Sequence, residues 1–263
     1  MTRLAMVTGA SSGIGEAFAE RLAEDGWNLV IAARRRDRLE QLAARLEREH
    51  GVSARVAEAD LANGAELDAL CAEAAETPLD MLVNNAGLAH YMPFSELPTE
   101  SARELIHLNV LAPVLLTRAA VGGMVERGAG AVINVASLLA FSGSWEVPHV
   151  PPRAVYAASK SFLVTFTQIL ANELRGSGVR MQVICPGVVR SEFHSRQGLD
   201  LSAVPRMEPR SVVDASLLDL ERGVVVAIPG SDDEAAIEAV DAAQRELMGA
   251  TRTVELPERY ATK

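Results

Sequence analysis

The sequence predicts an α/β fold built on one doubly wound parallel sheet, with helices on both faces. Three observations carry this. Short apolar runs alternate with longer helical patterns along the whole chain. The strand runs are rich in β-branched and apolar residues on both sides of their alternation, as expected for strands covered on both faces. A glycine-rich turn, Gly9 to Gly15, separates the first strand run from the first helical one, and a tight turn of that kind is how such folds begin.

Taken in order, residues 4–8 (LAMVT) predict the first strand and 14–25 the helix that leaves the glycine turn. Residues 28–33 (NLVIAA) predict a second strand. The helix over 37–49 opens with Asp37-Arg38-Leu39-Glu40, a capping-box pattern. A strand at 54–59 and a helix at 64–76 follow, then a strand at 80–83 and one long helix over 100–126. Strands at 131–136, 179–185 and 223–228 alternate with helices at 154–175 and 211–221, and a helix at 233–248 closes the pattern. Strands separated by helices imply right-handed crossovers, hence a Rossmann-like arrangement of about seven strands. No repeat, low-complexity block or linker divides residues 1–263, so one domain is expected. The longest irregular stretch is 190–210, punctuated by Gly198, Pro205 and Pro209. A long loop after a strand end is usually a lid or a binding loop, here read as a substrate loop. Residues 249–263 read as a polar tail.

Composition narrows the function. A chain of 263 residues buries enough surface to fold without disulfides or a structural metal. The net charge of −10 argues against nucleic acid and against an anionic membrane surface as partners. Cys71 and Cys185 form neither a disulfide framework nor a four-thiolate zinc site. The five histidines show no ligand spacing, so no metal is expected. The N-terminal apolar run, Leu4 to Val7, is too short for a secretory signal, and no stretch approaches 18 uninterrupted apolar residues. A cytoplasmic location is expected.

The turn Thr8-Gly9-Ala10-Ser11-Ser12-Gly13-Ile14-Gly15 has the spacing G-x-x-x-G-x-G. Small residues let a phosphate approach the backbone, and the helix that follows offers free N–H groups and a positive dipole. A glycine turn without a ligand fits the same residues. Gly9 to Gly13 also match G-x-S-x-G, the nucleophile elbow of hydrolases, with Ser11 as nucleophile. Position argues against that, because no earlier strand exists to supply the oxyanion donor.

The second strand ends Ile31-Ala32-Ala33 without a carboxylate to hold a ribose, and runs into Arg34-Arg35-Arg36. Arginines just before a helix N-terminus oppose its dipole. An anion there relieves the conflict, and the 2′-phosphate of NADP is such an anion. Arg34 is the candidate for reading it. A solvated basic cluster is the plainer alternative.

Tyr156 and Lys160 stand four apart on a predicted helix and share a face. A nearby ammonium lowers a tyrosine pKa from its ordinary value of about 10. Ser137 follows a strand end, where its hydroxyl is placed to hold a carbonyl oxygen. On spacing alone, an exposed helix face explains Y-x-x-x-K equally.

The motifs taken together say more. Thr8–Gly15, Asp60-Leu61, Asn84-Asn85-Ala86-Gly87, Asn109, Ser137, Tyr156-Ala157-Ala158-Ser159-Lys160 and Pro186-Gly187 occur in that order. Over about residues 4–191 the chain resembles the short-chain dehydrogenase/reductase family, of the classical, NADP-preferring type. The resemblance implies an NADP-dependent oxidoreductase that reduces a ketone or aldehyde, with NADP(H) favoured over NAD(H). It implies Tyr156 as the general acid, Lys160 lowering its pKa and binding the nicotinamide ribose, and Ser137 on the substrate oxygen. Asn109 would help hold a water that links Lys160 to solvent. Gly9, Ser11, Ser12, Gly13, Ile14 and Gly15 would wrap the diphosphate and adenosine ribose. Asp60 and Leu61 would sit at the adenine, and Asn85, Ala86 and Gly87 would line the cofactor cleft. Asn84 would support the central sheet. Pro186, Gly187, Val189 and Ser191 would contact the nicotinamide, and Arg34 matches the basic position of NADP-preferring members.

Three features depart from the family pattern. Residues 138–155 make a long spacer between Ser137 and Tyr156, carrying Trp145, His149 and several prolines. Ser191 stands where many members carry threonine. The chain continues past Ile228-Pro229-Gly230 as an acidic helical segment, which puts the tetrameric packing of acyl-carrier-protein reductases in doubt. A dimer through 100–126 and 154–175 is the expected oligomer. The pocket is expected to be apolar, from Tyr91, Met92, Phe94, Leu138, Leu139, Phe141, Trp145 and Phe193. A catalytically silent nucleotide-binding sensor or scaffold is the alternative of another class, and a missing Tyr156, Lys160 or Ser137 would have favoured it.

Overall fold

A computed structural model describes residues 3–144, 148, 150–201, 203–231, 234–250 and 260. Trp145 and His149 lie outside the described residues. The chain runs β1 (Leu4–Thr8), α1 (Gly13–Glu24), β2 (Asn28–Ala33), α2 (Arg36–His50), β3 (Ala54–Glu58), α3 (Gly64–Glu76) and β4 (Met81–Asn84). It continues through α4 (Thr99–Ile106), α5 (Ala112–Arg127), β5 (Gly130–Val135), α6 (Ala154–Glu173), β6 (Val179–Ile184), α7 (Glu192–Ser195), α8 (Pro209–Glu221), β7 (Val226–Ala227) and α9 (Glu234–Gly249). The seven strands form one parallel sheet in the order β3-β2-β1-β4-β5-β6-β7. The order reverses between β1 and β4, and the carboxyl ends of strands beside such a reversal are where a doubly wound sheet leaves a crevice.

Side chains alternate across the sheet with the strand period of two. Ala5, Val7, Leu29 and Ile31 face α1, α2 and α8, packing with Phe18, Leu39 and Val212. Met6, Val30, Leu82 and Val132 face the other way, onto α3 and α5, with Leu67 and Leu116. Each fully buried Leu or Phe contributes about 1.5–3 kcal/mol against exposure. One polar chain crosses this apolar centre. The Asn84 amide donates to Asn134 Oδ1 (2.9 Å) and Thr117 Oγ1 (3.0 Å), and the Asn134 amide donates to Thr167 Oγ1 (2.9 Å). It locks β4 and β5 to α5 and α6, the supporting role expected of Asn84.

Four expectations need correction. The helix over 100–126 is broken: residues His107–Leu111 form a π-turn between α4 and α5, and such turns mark functional positions more often than random ones. The capping box at Asp37 is not formed. Arg35 precedes α2 without a side-chain cap, and Glu40 pairs instead with Arg36 at 2.7 Å. The last strand is only two residues long: Val224 N–H still bonds back to the Asp219 carbonyl of α8 at 2.9 Å, and the pairing with β6 begins at the Val225 carbonyl. The 190–210 segment is not wholly irregular. It contains α7, and the backbones of Val188 and Arg190 pair with Met207 at 2.9 Å.

Two helical stretches, Thr99–Arg127 and Ala154–Glu173, have the length and hydropathy of a membrane span. Both place their buried residues against the sheet. The chain divides into two compact units, Met1–Pro229 and Gly230–Lys263. The first holds the sheet. The second is built on α9, which leaves Val240, Leu247 and Met248 exposed.

Candidate active site

A cleft of about 930 Å³ opens over the carboxyl ends of the strands. Gly9, Ser11, Ser12, Gly13 and Ile14 line one end, with Asp60, Leu61, Asn85, Ala86 and Gly87 beside them. Ser137, Tyr156, Lys160, Pro186, Gly187, Val189 and Ser191 line the other. Gly15 and Asn109 lie just behind this surface and act through what they pack against.

The glycine loop is held closely. Gly9 has φ +66°, and a Cβ there would sit 2.7 Å from Asn85 Nδ2. A Cβ on Gly15 would stand 2.5 Å from the Gly9 carbonyl oxygen. Asn85 donates to the Thr8 carbonyl (2.9 Å), and the backbone N–H groups of Asn85 and Ala86 donate to the Thr8 hydroxyl (3.0 and 3.1 Å). Thr8, the last residue of β1, therefore stitches β1 to β4 and the residues that follow it. The result is a close-packed backbone cradle, ending at the N-terminus of α1. Its residues fit a dinucleotide diphosphate.

The proton-handling groups lie deeper. Tyr156 is 5% exposed and Lys160 4%. One helical turn apart on α6, they point to the end of β5, where Lys160 Nζ donates to the Val135 carbonyl at 2.9 Å. Ser137 follows that strand; its hydroxyl accepts from Leu139 N–H at 3.2 Å and lies beside the Tyr156 phenol. Asn109 sits in the π-turn. Its Oδ1 accepts from Leu88 N–H (3.0 Å) and its amide donates to the Leu88 carbonyl (2.9 Å) and Ser159 Oγ (3.1 Å). A Cβ on Gly87 would lie 3.2 Å from Asn109 Oδ1 and 3.3 Å from Lys160 Nζ, so the two side chains flank one point.

Burial dominates the electrostatics. It pushes the Tyr156 phenol up, with the neighbouring Tyr91 adding to the rise and the Ser137 hydroxyl opposing it. It pushes Lys160 down from 10.5 to about 8. The expected lowering of the Tyr156 pKa by Lys160 is not found in this arrangement. The ammonium stands 5.8 Å from the ring centre and spends a hydrogen bond on Val135.

The arginine cluster sorts differently from expectation. Arg34 lines the cleft but is 57% exposed and only loosely placed, 4.0 Å from Asp60 and 3.9 Å from Glu104. Arg35 is the one tied to the glycine loop. It donates to Ser11 Oγ (2.8 Å), the Ser11 carbonyl (2.9 Å) and Ser12 Oγ (2.9 Å), and to Glu192 at 3.1 Å. Nothing in the sequence ranks three consecutive arginines, and Arg38 and Glu192 also lie in this corner unforeseen.

The outer walls are apolar. Tyr91 and Phe193 pack against Tyr156 at 5.8 and 6.1 Å between ring centres, and Leu138 and Leu139 join them. Met92, Phe94 and Phe141, also expected here, are absent from the lining among the described residues. Phe94 is 70% exposed in a 3₁₀ turn.

Three comparisons with known proteins agree with this geometry. The family model for short chain dehydrogenase matches residues 3–201. A very-long-chain 3-oxoacyl-CoA reductase of Homo sapiens is 33% identical over 193 residues, covering 72% of this chain and 60% of that protein. The chain therefore spans less than two thirds of that relative. Among solved structures, a short-chain dehydrogenase from Sphingobium yanoikuyae in complex with NADPH is similar with a TM-score of 0.93 and 36% identity, over 98% of this chain and 100% of the other. A bulky-bulky ketone specific alcohol dehydrogenase from Comamonas testosteroni is similar with a TM-score of 0.88 and 31% identity, over 99% of both.

Proposed function

The chain belongs to the short-chain dehydrogenase family, and from that premise we propose that it is an NADP-dependent carbonyl reductase acting on ketones or aldehydes with bulky apolar substituents. One observation carries the reading. Tyr156, Ser137 and Lys160 converge at the sheet end, in the same cleft onto which the glycine loop opens.

A bound nicotinamide cofactor supplies the hydride. The protein supplies position, proton and field. Gly9 to Ile14 and the N-terminus of α1 would hold the diphosphate, and Asp60 and Leu61 the adenine side. Pro186, Gly187, Val189 and Ser191 would hold the nicotinamide end. Reduction places negative charge on the substrate oxygen. Two hydroxyl donors, Ser137 and Tyr156, meet that charge, and Tyr156 gives up its proton. Burial keeps the phenol protonated at neutral pH, which suits the reducing direction. The Lys160 ammonium, ionised below about pH 8, would hold the nicotinamide ribose, and Asn109 fixes the turn beside it.

The walls speak for the substrate class. Tyr91, Leu138, Leu139, Phe193 and Leu199 offer apolar surface and few polar partners, and the bulky-ketone enzyme shares the fold over the full chain. Arg35, with Arg38 beside it, is the better reader of a 2′-phosphate than Arg34. The protein is read as cytoplasmic. It is read as a dimer through α4–α5 and α6, where Val125, Phe162 and Ile169 are exposed.

The test is a titration of the protein with NADPH and NADH, followed by nicotinamide emission, and then a ketone panel graded by bulk. Tighter NADPH binding and turnover that favours bulky ketones are expected. NADH preference would overturn the cofactor assignment, and binding without turnover on any carbonyl would favour the silent-sensor alternative.

A further inference from the structure

We propose that Glu192 is a positioning residue that occupies the phosphate-reading arginines until a 2′-phosphate displaces it, so that binding of this phosphate releases the substrate-side helix α7. The proposal rests on the NADP reading above and goes beyond it.

The geometry is specific. Glu192 Oε1 accepts from Arg38 at 2.8 Å, and Oε2 accepts from Arg35 at 3.1 Å and pairs with Arg196. Three guanidinium groups thus surround one carboxylate on the cleft wall, a local surplus of two positive charges. Arg35 and Arg38 stand at the N-terminus of α2, where the helix dipole already repels cations. A dianionic phosphate satisfies such a corner better than one carboxylate does, because it adds charge and acceptor oxygens. The arginines hold Glu192 down to about 2, so its carboxylate is an ionised competitor at any working pH.

The other end of the contact lies at the chemistry. Glu192 opens α7, whose next residue, Phe193, packs 6.1 Å from the Tyr156 ring. Ser191 caps the same helix by accepting from Phe193 N–H at 3.3 Å, and a Cβ on Gly13 would touch Ser191 Cβ at 3.1 Å. Whatever takes Arg35 and Arg38 from Glu192 removes the polar tether of a segment that forms the wall beside the catalytic tyrosine. A ligand shifts such an equilibrium only by its differential affinity for the two states. A cofactor lacking the 2′-phosphate would leave the tether in place.

Calorimetric titration of the full chain with 2′,5′-ADP and with 5′-ADP, for wild type and Glu192→Gln, tests this without turnover. Removing the competing charge should tighten 2′,5′-ADP on the order of tenfold, the scale of one charged hydrogen bond, and leave 5′-ADP unchanged. Hydrogen exchange across 191–196 should rise in wild type on adding 2′,5′-ADP but not 5′-ADP. It should already be high in Glu192→Gln. Tighter binding with no change in exchange would mean plain repulsion and overturn the tether. A wild type that prefers 2′,5′-ADP, with Glu192→Gln no tighter, would overturn this inference alone. Equal binding of both probes by wild type would overturn the NADP reading and this one with it.

Discussion

The cleft has two ends built on opposite principles. At the floor, Tyr156, Lys160 and Asn109 are buried; Lys160 is fixed by a hydrogen bond to the Val135 carbonyl, Asn109 by bonds to the Leu88 backbone and the Ser159 hydroxyl, and the Tyr156 ring by its packing against Tyr91 and Phe193. At the arginine corner, Arg35, Arg38 and Glu192 are part-exposed and hold one another by charge. Burial makes the floor rigid and costly to alter, since a buried polar group left without its partner loses about 1–3 kcal/mol. Exposure makes the corner exchangeable, since salt and water screen its ion pairs. A site that must place a proton within a fraction of an ångström, yet let a dinucleotide in and out, is served by this division.

The sharpest way to break the contrast is at the floor. Tyr156→Phe should lower turnover roughly 10²–10⁴-fold while NADPH binding stays close to wild type. Retained turnover would end the role given to Tyr156. At the corner, Arg35→Ala should weaken NADPH roughly 10- to 100-fold, the scale of lost hydrogen bonds to a charged group, and NADH hardly at all. Equal losses for both cofactors would mean that Arg35 only braces Ser11 and Ser12.

A gentler probe uses the buried lysine. Lys160 is depressed in the fold, from 10.5 to about 8. The unfolded chain therefore binds more protons between those values, and wild-type stability rises with pH across that window. Lys160→Met lacks this response. Its melting temperature relative to wild type should fall by a few degrees between pH 7.5 and 10; a pH-independent gap would refute the depressed lysine. The smallest effect belongs to Arg34→Ala, about threefold or less on NADPH, as for an exposed ion pair. A larger loss there than in Arg35→Ala would restore Arg34 as the phosphate reader.

What the sequence made legible follows the same division. The strand runs and the Tyr156–Lys160 spacing obey periods that burial enforces, so both the sheet and the floor were readable. Asn109 was identified only through resemblance, because a π-turn inside an apolar helical pattern leaves no periodic mark. The choice among Arg34, Arg35 and Arg36 turns on the backbone at the strand–helix junction, where Arg35 adopts φ −95° and ψ 87°. That angle is set by packing, not by residue type. Glu192 lies 157 positions from Arg35, and no local signal joins them. The acidic residue directly after Ser191, in a segment read as a substrate loop, was the one available hint. Phe94 misled because an aromatic in a loop is as content in a surface turn as in a pocket.

The pairing of Val189 with Met207 has a consequence for how such an enzyme diversifies. The chain leaves the scaffold and returns to it through neighbouring points, so the residues between form a detachable cassette. Doubling the length of such an excursion costs only about 0.6 kcal/mol in closure entropy. Transplanting a differently sized segment between those two anchors, with Ser191, Glu192 and Phe193 kept, should therefore redraw the range of accepted substrates while leaving hydride and proton delivery untouched.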